Sequence, residues 1–354
     1  MKRLTTAHRV AMAAAAAALL AGAAVPALAA KVTLLETGST LLYPLFNLWV
    51  PAYTAAHKNI QITTGGTGSG TGIAEAENGD VQIGASDAYL PPNSVSSTGA
   101  QMLNIPLAIS AQMVNYNVPG LNNKHLKLSG AILAGIYTGK ITKWNDKAIA
   151  ALNKSVKLPD KTIIPIRRAD ASGDTFLFTT YMTDAAPKVW TVGFSTNVSW
   201  PAVSTEVAET GNSGMVTGLT SNPYSIAYVG ISYLQQIQQA NLGEATLQNR
   251  AGKFLLPSAG TIVSAASAMV PKTPPDETLS LIYAPGANSY PIINYEYAII
   301  SEQQASTTMA QVVQAFLRWA LTTGNSPSFL NQVHFQPLPK FVAHMSEAQV
   351  NLVH

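Results

Sequence analysis

Residues 31–87 read KVTLLETGSTLLYPLFNLWVPAYTAAHKNIQITTGGTGSGTGIAEAENGDVQIGASD, and their periodicity decides the fold. Lys31 to Leu35 reads as a strand, after which Leu42, Leu45, Phe46, Trp49, Val50 and Tyr53 recur at helical spacing and define one buried face. Ile60 to Thr63 reads as a second strand. A glycine-rich turn and a short helix around Ile73 to Glu77 follow, and Val81 to Ser86 reads as a third strand. This order predicts an α/β chain with a largely parallel sheet covered by helices. Working outward, further strands are expected at Gln112 to Asn117, Ile163 to Arg168 and Ser225 to Val229. Helices are expected near Ser129 to Tyr137, Asp146 to Leu152, Asp174 to Met182 and Gln303 to Thr322. No internal repeat and no low-complexity linker interrupts the pattern, which predicts two lobes joined by several strands.

The chain has 354 residues, 47% of them hydrophobic and only 11% charged, so it can bury a large core and lacks the signature of a disordered chain. The absence of cysteine excludes disulfides, zinc-thiolate and iron–sulfur sites, a cysteine nucleophile and a lipidated cysteine. The net charge of +3 suggests a nucleic-acid or membrane partner until it is located. Lys2, Arg3 and Arg9 are the only charged residues among the first thirty, and without them 18 basic groups face 18 acidic ones. That stretch has a basic start, an apolar run from Val10 to Val25 and Ala27-Leu28-Ala29 ahead of Ala30, the pattern of a signal peptide cleaved after Ala29. The apolar run is shorter than the roughly 20 residues a membrane span needs. A periplasmic protein without membrane anchor is expected, with free secretion the second option. No nucleotide pool exists there, which leaves capture, hydrolysis or adhesion.

At three places a strand ends in Gly, Ser or Thr residues that open onto a helix. These are Gly38-Ser39-Thr40, the run Gly66 to Gly72, and Ala171-Ser172-Gly173-Asp174-Thr175. Such junctions aim free backbone N–H groups, hydroxyls and the positive end of a helix dipole at one spot, so they suit an oxyanion. One alone is usually only a helix cap. Three, with Arg167-Arg168 leading into the last, favour a site. Asp87 ends the third strand and Asp174 lies within the third junction. A carboxylate repels a fully ionised anion but accepts a hydrogen bond from one that still carries a proton. Phosphate keeps a proton at neutral pH and sulfate does not. The plainer readings are a turn cap for Asp87 and a dipole-matching charge for Asp174.

Thr37-Gly38-Ser39-Thr40, Gly66 to Gly72, Gly84-Ala85-Ser86-Asp87, Tyr137 to Trp144 and Arg167 to Asp174 together resemble the phosphate-binding proteins of bacterial ABC importers, the PstS family. The resemblance runs over essentially the whole mature chain and continues in Gly211-Asn212-Ser213-Gly214, Ile226 to Gly230 and Tyr290 to Tyr295. Ser172 to Phe178 and Val333 to Pro339 resemble the actinobacterial-type branch. The resemblance implies a two-lobed periplasmic binding protein of type II, each lobe a sheet flanked by helices, with inorganic phosphate held in the cleft between lobes. Its expected organisation is lobe 1 over 30–110 and 291–354, lobe 2 over 111–290, and hinge crossovers near Leu107 to Met113 and Tyr290 to Asn294. It implies phosphate contacts from Thr40, Leu41, Ser69, Asp87, Arg168, Ser172, Gly173 and Asp174, supported by Ser39, Gly68, Asp170 and Thr175. Enterobacterial relatives commonly have threonine where Asp174 stands, so either Asp174 or Thr175 fills that role. The implied partners are phosphate and membrane permease subunits, with no nucleic acid. A monomer without cofactor or metal is expected.

Other classes fit the residues less well. Ser69 and Ser172 lack the Gly-x-Ser-x-Gly elbow of a hydrolase. His57, His125, His334, His344 and His354 show no metal spacing. Gly66 to Gly72 does not give Gly-x-Gly-x-x-Gly, and no Gly-Lys-Ser/Thr occurs. A secreted phosphatase and a phosphate-dependent adhesin on the same fold remain as alternatives.

Overall fold

The structure, a computed structural model, describes residues 31–354; the expected leader over residues 1–29 lies outside them. The first unit runs β1 (Val32–Gly38), α1 (Tyr43–Ala56), β2 (Ile60–Thr63), α2 (Ser69–Asn78) and β3 (Ile83–Ser86). β1 lies between β2 and β3 and is parallel to both. β4 (Met102–Asn117) follows, then β5 (Lys127–Leu128), α3 (Gly130–Tyr137) and α4 (Lys147–Leu152). A second unit repeats the first arrangement with β6 (Ile164–Arg168), α5 (Gly173–Ala185), β7 (Val207–Glu209), α6 (Gly211–Ser221) and β8 (Ser225–Gly230). Here β6 is central and parallel to β7 and β8. The chain continues through α7 (Leu234–Gln239), β9 (Gly243–Glu244), β10 (Thr246–Gln248), β11 (Phe254–Leu255) and α8 (Ala259–Met269). It ends with β12 (Ile293–Ser301), α9 (Thr307–Leu321), α10 (Pro327–Leu330) and α11 (Lys340–Val350).

The main sheet has the order β2-β1-β3-β12-β4-β8-β6-β7 and is mixed, which corrects the expectation of a largely parallel one. The two parallel units are joined by β4 and by the returning β12, which run antiparallel to their neighbours. β4 pairs with β12 from Met102 to Ala111 and with β8 from Gln112 to Asn117. Every β4 residue as far as Tyr116 is buried, as is β12 up to Ile300. A strand covered on both faces shows no alternation. Sequence periodicity therefore found only the second half of β4 and missed β12.

Helix starts follow local capping. α9 begins at Thr307 rather than Gln303 because the Ser306 hydroxyl accepts the Met309 N–H at 3.2 Å. α2 begins at Ser69, earlier than the expected Ile73, with Gly72 N–H bonding the Gly68 carbonyl at 3.1 Å. α1 packs its apolar face on α9: Phe46 lies 6.0 Å from Phe316 and Trp49 lies 6.3 Å from Trp319, centroid to centroid. Such pairs contribute about 0.5–1.5 kcal/mol each beyond their buried area. The Trp49 indole N–H donates to the Gly324 carbonyl at 2.9 Å, which fixes the helix against the C-terminal segment.

Candidate functional site

Strand carboxyl ends are where open α/β sheets bind ligands, and in this chain the ends of β1, β3, β6 and β7 converge. After β1, the Ser39 hydroxyl accepts the N–H groups of Leu41 (3.1 Å) and Leu42 (3.0 Å) and donates its own hydrogen to Asp87 Oδ1. Ser69 opens α2, and its hydroxyl accepts the Asp87 N–H at 3.2 Å. The glycine run reaches the second unit directly, with Gly70 N–H bonding the Ala171 carbonyl at 3.0 Å. Gly68, at φ 97°, could not be replaced freely: a Cβ there would lie 2.6 Å from Asp170 Oδ2.

After β6, Arg168 is buried and doubly held. Its Nε donates to Asp170 Oδ1 (2.7 Å), its Nη2 to Asp170 Oδ2, and its Nη1 to Asp174 Oδ2 (2.9 Å). Ser172 caps α5 through its hydroxyl, which accepts the Thr175 N–H at 3.4 Å. The first intrahelical bond runs from Phe176 N–H to the Ser172 carbonyl, so the N–H groups of Gly173 and Asp174 point out of the helix start. Gly173 packs on the first unit so closely that a Cβ would lie 2.3 Å from Asp87 Oδ2 and 2.5 Å from the Ser69 hydroxyl. The Thr175 hydroxyl turns away to Tyr228 OH at 2.8 Å, and Tyr228 OH accepts the Arg168 N–H at 2.9 Å. The residues expected at the site thus meet in one place, with Thr175 behind it.

Sequence reasoning missed the residue at the centre of the network. Asn212, fully buried, donates its backbone N–H (3.2 Å) and Nδ2 (3.0 Å) to the Thr40 hydroxyl oxygen, and Nδ2 also reaches Asp174 Oδ2 at 2.6 Å. With both approaches taken by Asn212, the Thr40 hydroxyl hydrogen is free to donate. The signal was present: Glu209-Thr210-Gly211-Asn212 is a fourth strand-to-helix junction. Gln112 was missed as well; its Nε2 donates to the Asp174 carbonyl (2.8 Å) and to Asp174 Oδ1 (3.0 Å).

The electrostatics separate the carboxyls. Burial, reinforced by nearby Asp174, pushes Asp87 up to about 7, against the pull of Ser39 and Arg168. Burial acts on Asp170 too, but the Arg168 hydrogen bonds outweigh it and hold this carboxyl below its ordinary value. Burial also raises Asp174, against Arg168 and its amide donors. Arg168 stays charged, since Asp170 and Asp174 more than offset its desolvation. The arrangement offers hydroxyl and N–H donors from three helix starts, those of α1, α2 and α5, with the α6 start committed to holding Thr40, Asp170 and Asp174; beside them stand one cation whose charge is already matched and one acceptor carboxyl. Among the described residues no group of three or more His, Cys, Asp or Glu is placed to hold a metal.

Residues 24–323 match the PBP superfamily domain. The phosphate-binding protein PstS of Methanocaldococcus jannaschii is 36% identical over 339 residues, covering 90% of this chain and 85% of the relative. This chain belongs to the PstS family. The PstS of Pasteurella multocida is 32% identical, covering 90% of this chain and 89% of its own length. Among solved structures, PfluDING, a high affinity periplasmic phosphate-binding protein with bound phosphate, superposes on this PstS-family chain with a TM-score of 0.70. It shares 21% identity and covers 90% of this chain and 93% of its own. The fold is the two-lobed α/β binding-protein fold of type II.

Proposed function

We propose that this chain captures inorganic phosphate in the cleft between its lobes and delivers it to the membrane permease of an ABC-type importer. The carrying observation is Asp87, a buried carboxyl set among donors and aimed at the start of α5. An anion that must accept from those donors and also give a hydrogen to Asp87 is a protonated oxyanion. Phosphate meets both requirements at neutral pH and sulfate fails the second. Thr40, Ser69 and Ser172 contribute hydroxyls, and Gly173 and Asp174 contribute backbone N–H groups, whereas the Leu41 N–H expected among them is taken by the Ser39 hydroxyl. Arg168 supplies the charged donor. Ser39, Gly68, Asp170 and Thr175 hold these groups in place. The chain's membership of the PstS family supports the same ligand.

Lobe 1 comprises 30–110 and 291–354, and lobe 2 comprises 111–290. The change of partner along β4 between Ala111 and Gln112 supports a hinge crossing there, with the second beside the start of β12. Capture without turnover is supported by the hydroxyls themselves: Ser172 caps a helix and Ser69 bonds a backbone N–H, and among the described residues no histidine is bonded to either. The chain acts after export and removal of residues 1–29, a reading supported by the leader pattern. Among the described residues no helix is long and apolar enough to cross a membrane.

Isothermal titration of the mature chain, stripped of bound anion, tests the assignment with phosphate and with sulfate. One-to-one phosphate binding with no sulfate signal is expected, with affinity holding toward mildly acidic pH. Binding of neither anion would refute the transport role. Equal binding of sulfate would keep the cleft but remove the role of Asp87.

A further inference from the structure

Behind Asp87, away from the donors that face the cleft, lies a second fully buried carboxyl, Glu296 of β12. Tyr297 is registered with Ser86 of β3, so the next step along this antiparallel ladder sets Glu296 beside Asp87, within hydrogen-bonding reach. The ladder between β12 and β4 is irregular at Glu296/Tyr297, the kind of bulge that re-aims a side chain. Glu296 Oε1 receives Asn294 Nδ2 at 3.0 Å and lies against the Ser110 hydroxyl. Glu296 Oε2 is buried and no donor reaches it. Two adjacent buried carboxyls cannot both be ionised. With Oε1 serving as the acceptor oxygen, the shared hydrogen belongs on Oε2, between Glu296 and Asp87.

We propose that Glu296 is a positioning residue for phosphate selectivity: held in its acid form, it donates Oε2–H to Asp87 and keeps that carboxylate ionised and aimed to accept the ligand's proton. The proposal rests on the phosphate reading of the site. Burial drives Glu296 well above the ordinary carboxyl value, and the neighbouring Asp87 adds to the rise. The same hydrogen bond lowers the proton affinity of Asp87, opposing its burial. The other charged groups facing the pair are Asp174 from α5 and Arg168 from β6. β4 contributes only the Ser110 hydroxyl, α8 carries no titratable residue, and Glu75 and Glu77 of the adjoining α2 are partly exposed. Without the Glu296 hydrogen, Asp87 would hold a proton at higher pH. It would then present a donor where phosphate needs an acceptor.

The test compares Glu296→Gln and Glu296→Met in the full mature chain, titrated with phosphate and with sulfate at mildly acidic, neutral and mildly alkaline pH. The amide of Gln has the shape of the acid and donates, but cannot ionise; it should bind phosphate within about threefold of the parent with the same pH profile. Met donates nothing and should bind phosphate about tenfold weaker, with the loss already present at neutral pH and sulfate discrimination narrowed. Phosphate binding tightened beyond about threefold in the Gln variant would mean that an ionised, repelling Glu296 had been removed, and would overturn the proposal. So would a Met variant with unchanged affinity and pH profile. Should the Met variant not fold, the infrared difference between the parent and the Gln variant decides: a protonated-acid carbonyl band at neutral pH, lost in the Gln variant, is expected, and its absence in the parent refutes the proposal. A parent chain that binds no phosphate refutes the function itself, whereas a binding parent with an indifferent Met variant refutes only the role of Glu296.

Discussion

Asp87 and Asp170 are the same residue type just past the carboxyl ends of two strands of one sheet, and the structure sets their proton affinities in opposite directions. Asp170 grips Arg168 through both oxygens and sits below its ordinary value although burial works against it. Asp87 touches no cation; a serine hydroxyl, a neighbouring acid and a glycine face it, and burial pushes it up to about 7. In the proposed function this difference lets one cleft attract an anion and still select among anions. The cation is neutralised on the β6 side before any ligand arrives, so attraction falls to dipoles and hydroxyls. In the proposed function the β3 side keeps, in Asp87, an acceptor that tests whether the ligand carries a proton.

Removing the cation breaks this comparison most severely. Arg168→Met leaves Asp170 and Asp174 without their cation, with only amide N–H donors to hold them, and denaturant unfolding should show a loss of about 3–5 kcal/mol; a near-parental stability would mean those carboxyls simply take up protons. Next is Gly173→Ala, which presses a methyl group onto Asp87 Oδ2 and the Ser69 hydroxyl. Overpacking of this kind costs about 1–3 kcal/mol, and calorimetric titration should show phosphate binding weakened up to about 100-fold with the fold intact.

Thermal melting of the ligand-free chain against pH sharpens the contrast. Asp87 and Glu244 are raised to about 7, and Glu36 and Glu277 to about 8, burial being the main cause in each. For these groups the folded state binds protons more tightly than the unfolded one, so their share of stability is lost as pH rises from the ordinary carboxyl range to about 7–8. Asp170 acts in the opposite sense, and its share is lost as pH falls through its depressed value. The melting temperature should therefore be higher at mildly acidic than at mildly alkaline pH, with a shallower slope in Asp87→Asn; a rising profile contradicts the assignment. The smallest effect is expected of Tyr228→Phe. It removes the acceptor of the Arg168 N–H and the partner of the Thr175 hydroxyl, at about 1–2 kcal/mol of stability. Discrimination between phosphate and sulfate should stay intact, because the Asp87 side is untouched.

Legibility in the sequence followed exposure and locality. The alternation of strands and helices from β1 to β3 was readable because each of those helices keeps one face in water. Arg168 and Asp170 came as a pair with the family resemblance of the run Arg167 to Asp174, in which they stand two positions apart. The first half of β4 and the whole of β12 were not readable, since burial on both faces removes the period-2 signal. Asn212 stood only within the matching segment Gly211-Asn212-Ser213-Gly214, and its role depends on Thr40 and Asp174, both distant in sequence. Glu296 stands in an apolar run, and only the pairing of β3 with β12 brings it to Asp87. The pairing of the Thr175 hydroxyl with Tyr228 was likewise out of reach of the sequence, because it joins residues distant along the chain.

β4 serves both units as one unbroken strand, and its handover has a mechanical consequence. At Gln112 the backbone N–H bonds Ile292 while the residue is registered with Gly230, and the side chain grips Asp174. Rotation about that point is resisted by the torsional stiffness of a hydrogen-bonded ribbon rather than by slack peptide. A hinge at that point, as proposed, would act as a torsion spring anchored to the ion pair of Arg168 and Asp174, and a substitution far from any ligand contact would reset its resting angle by altering the twist.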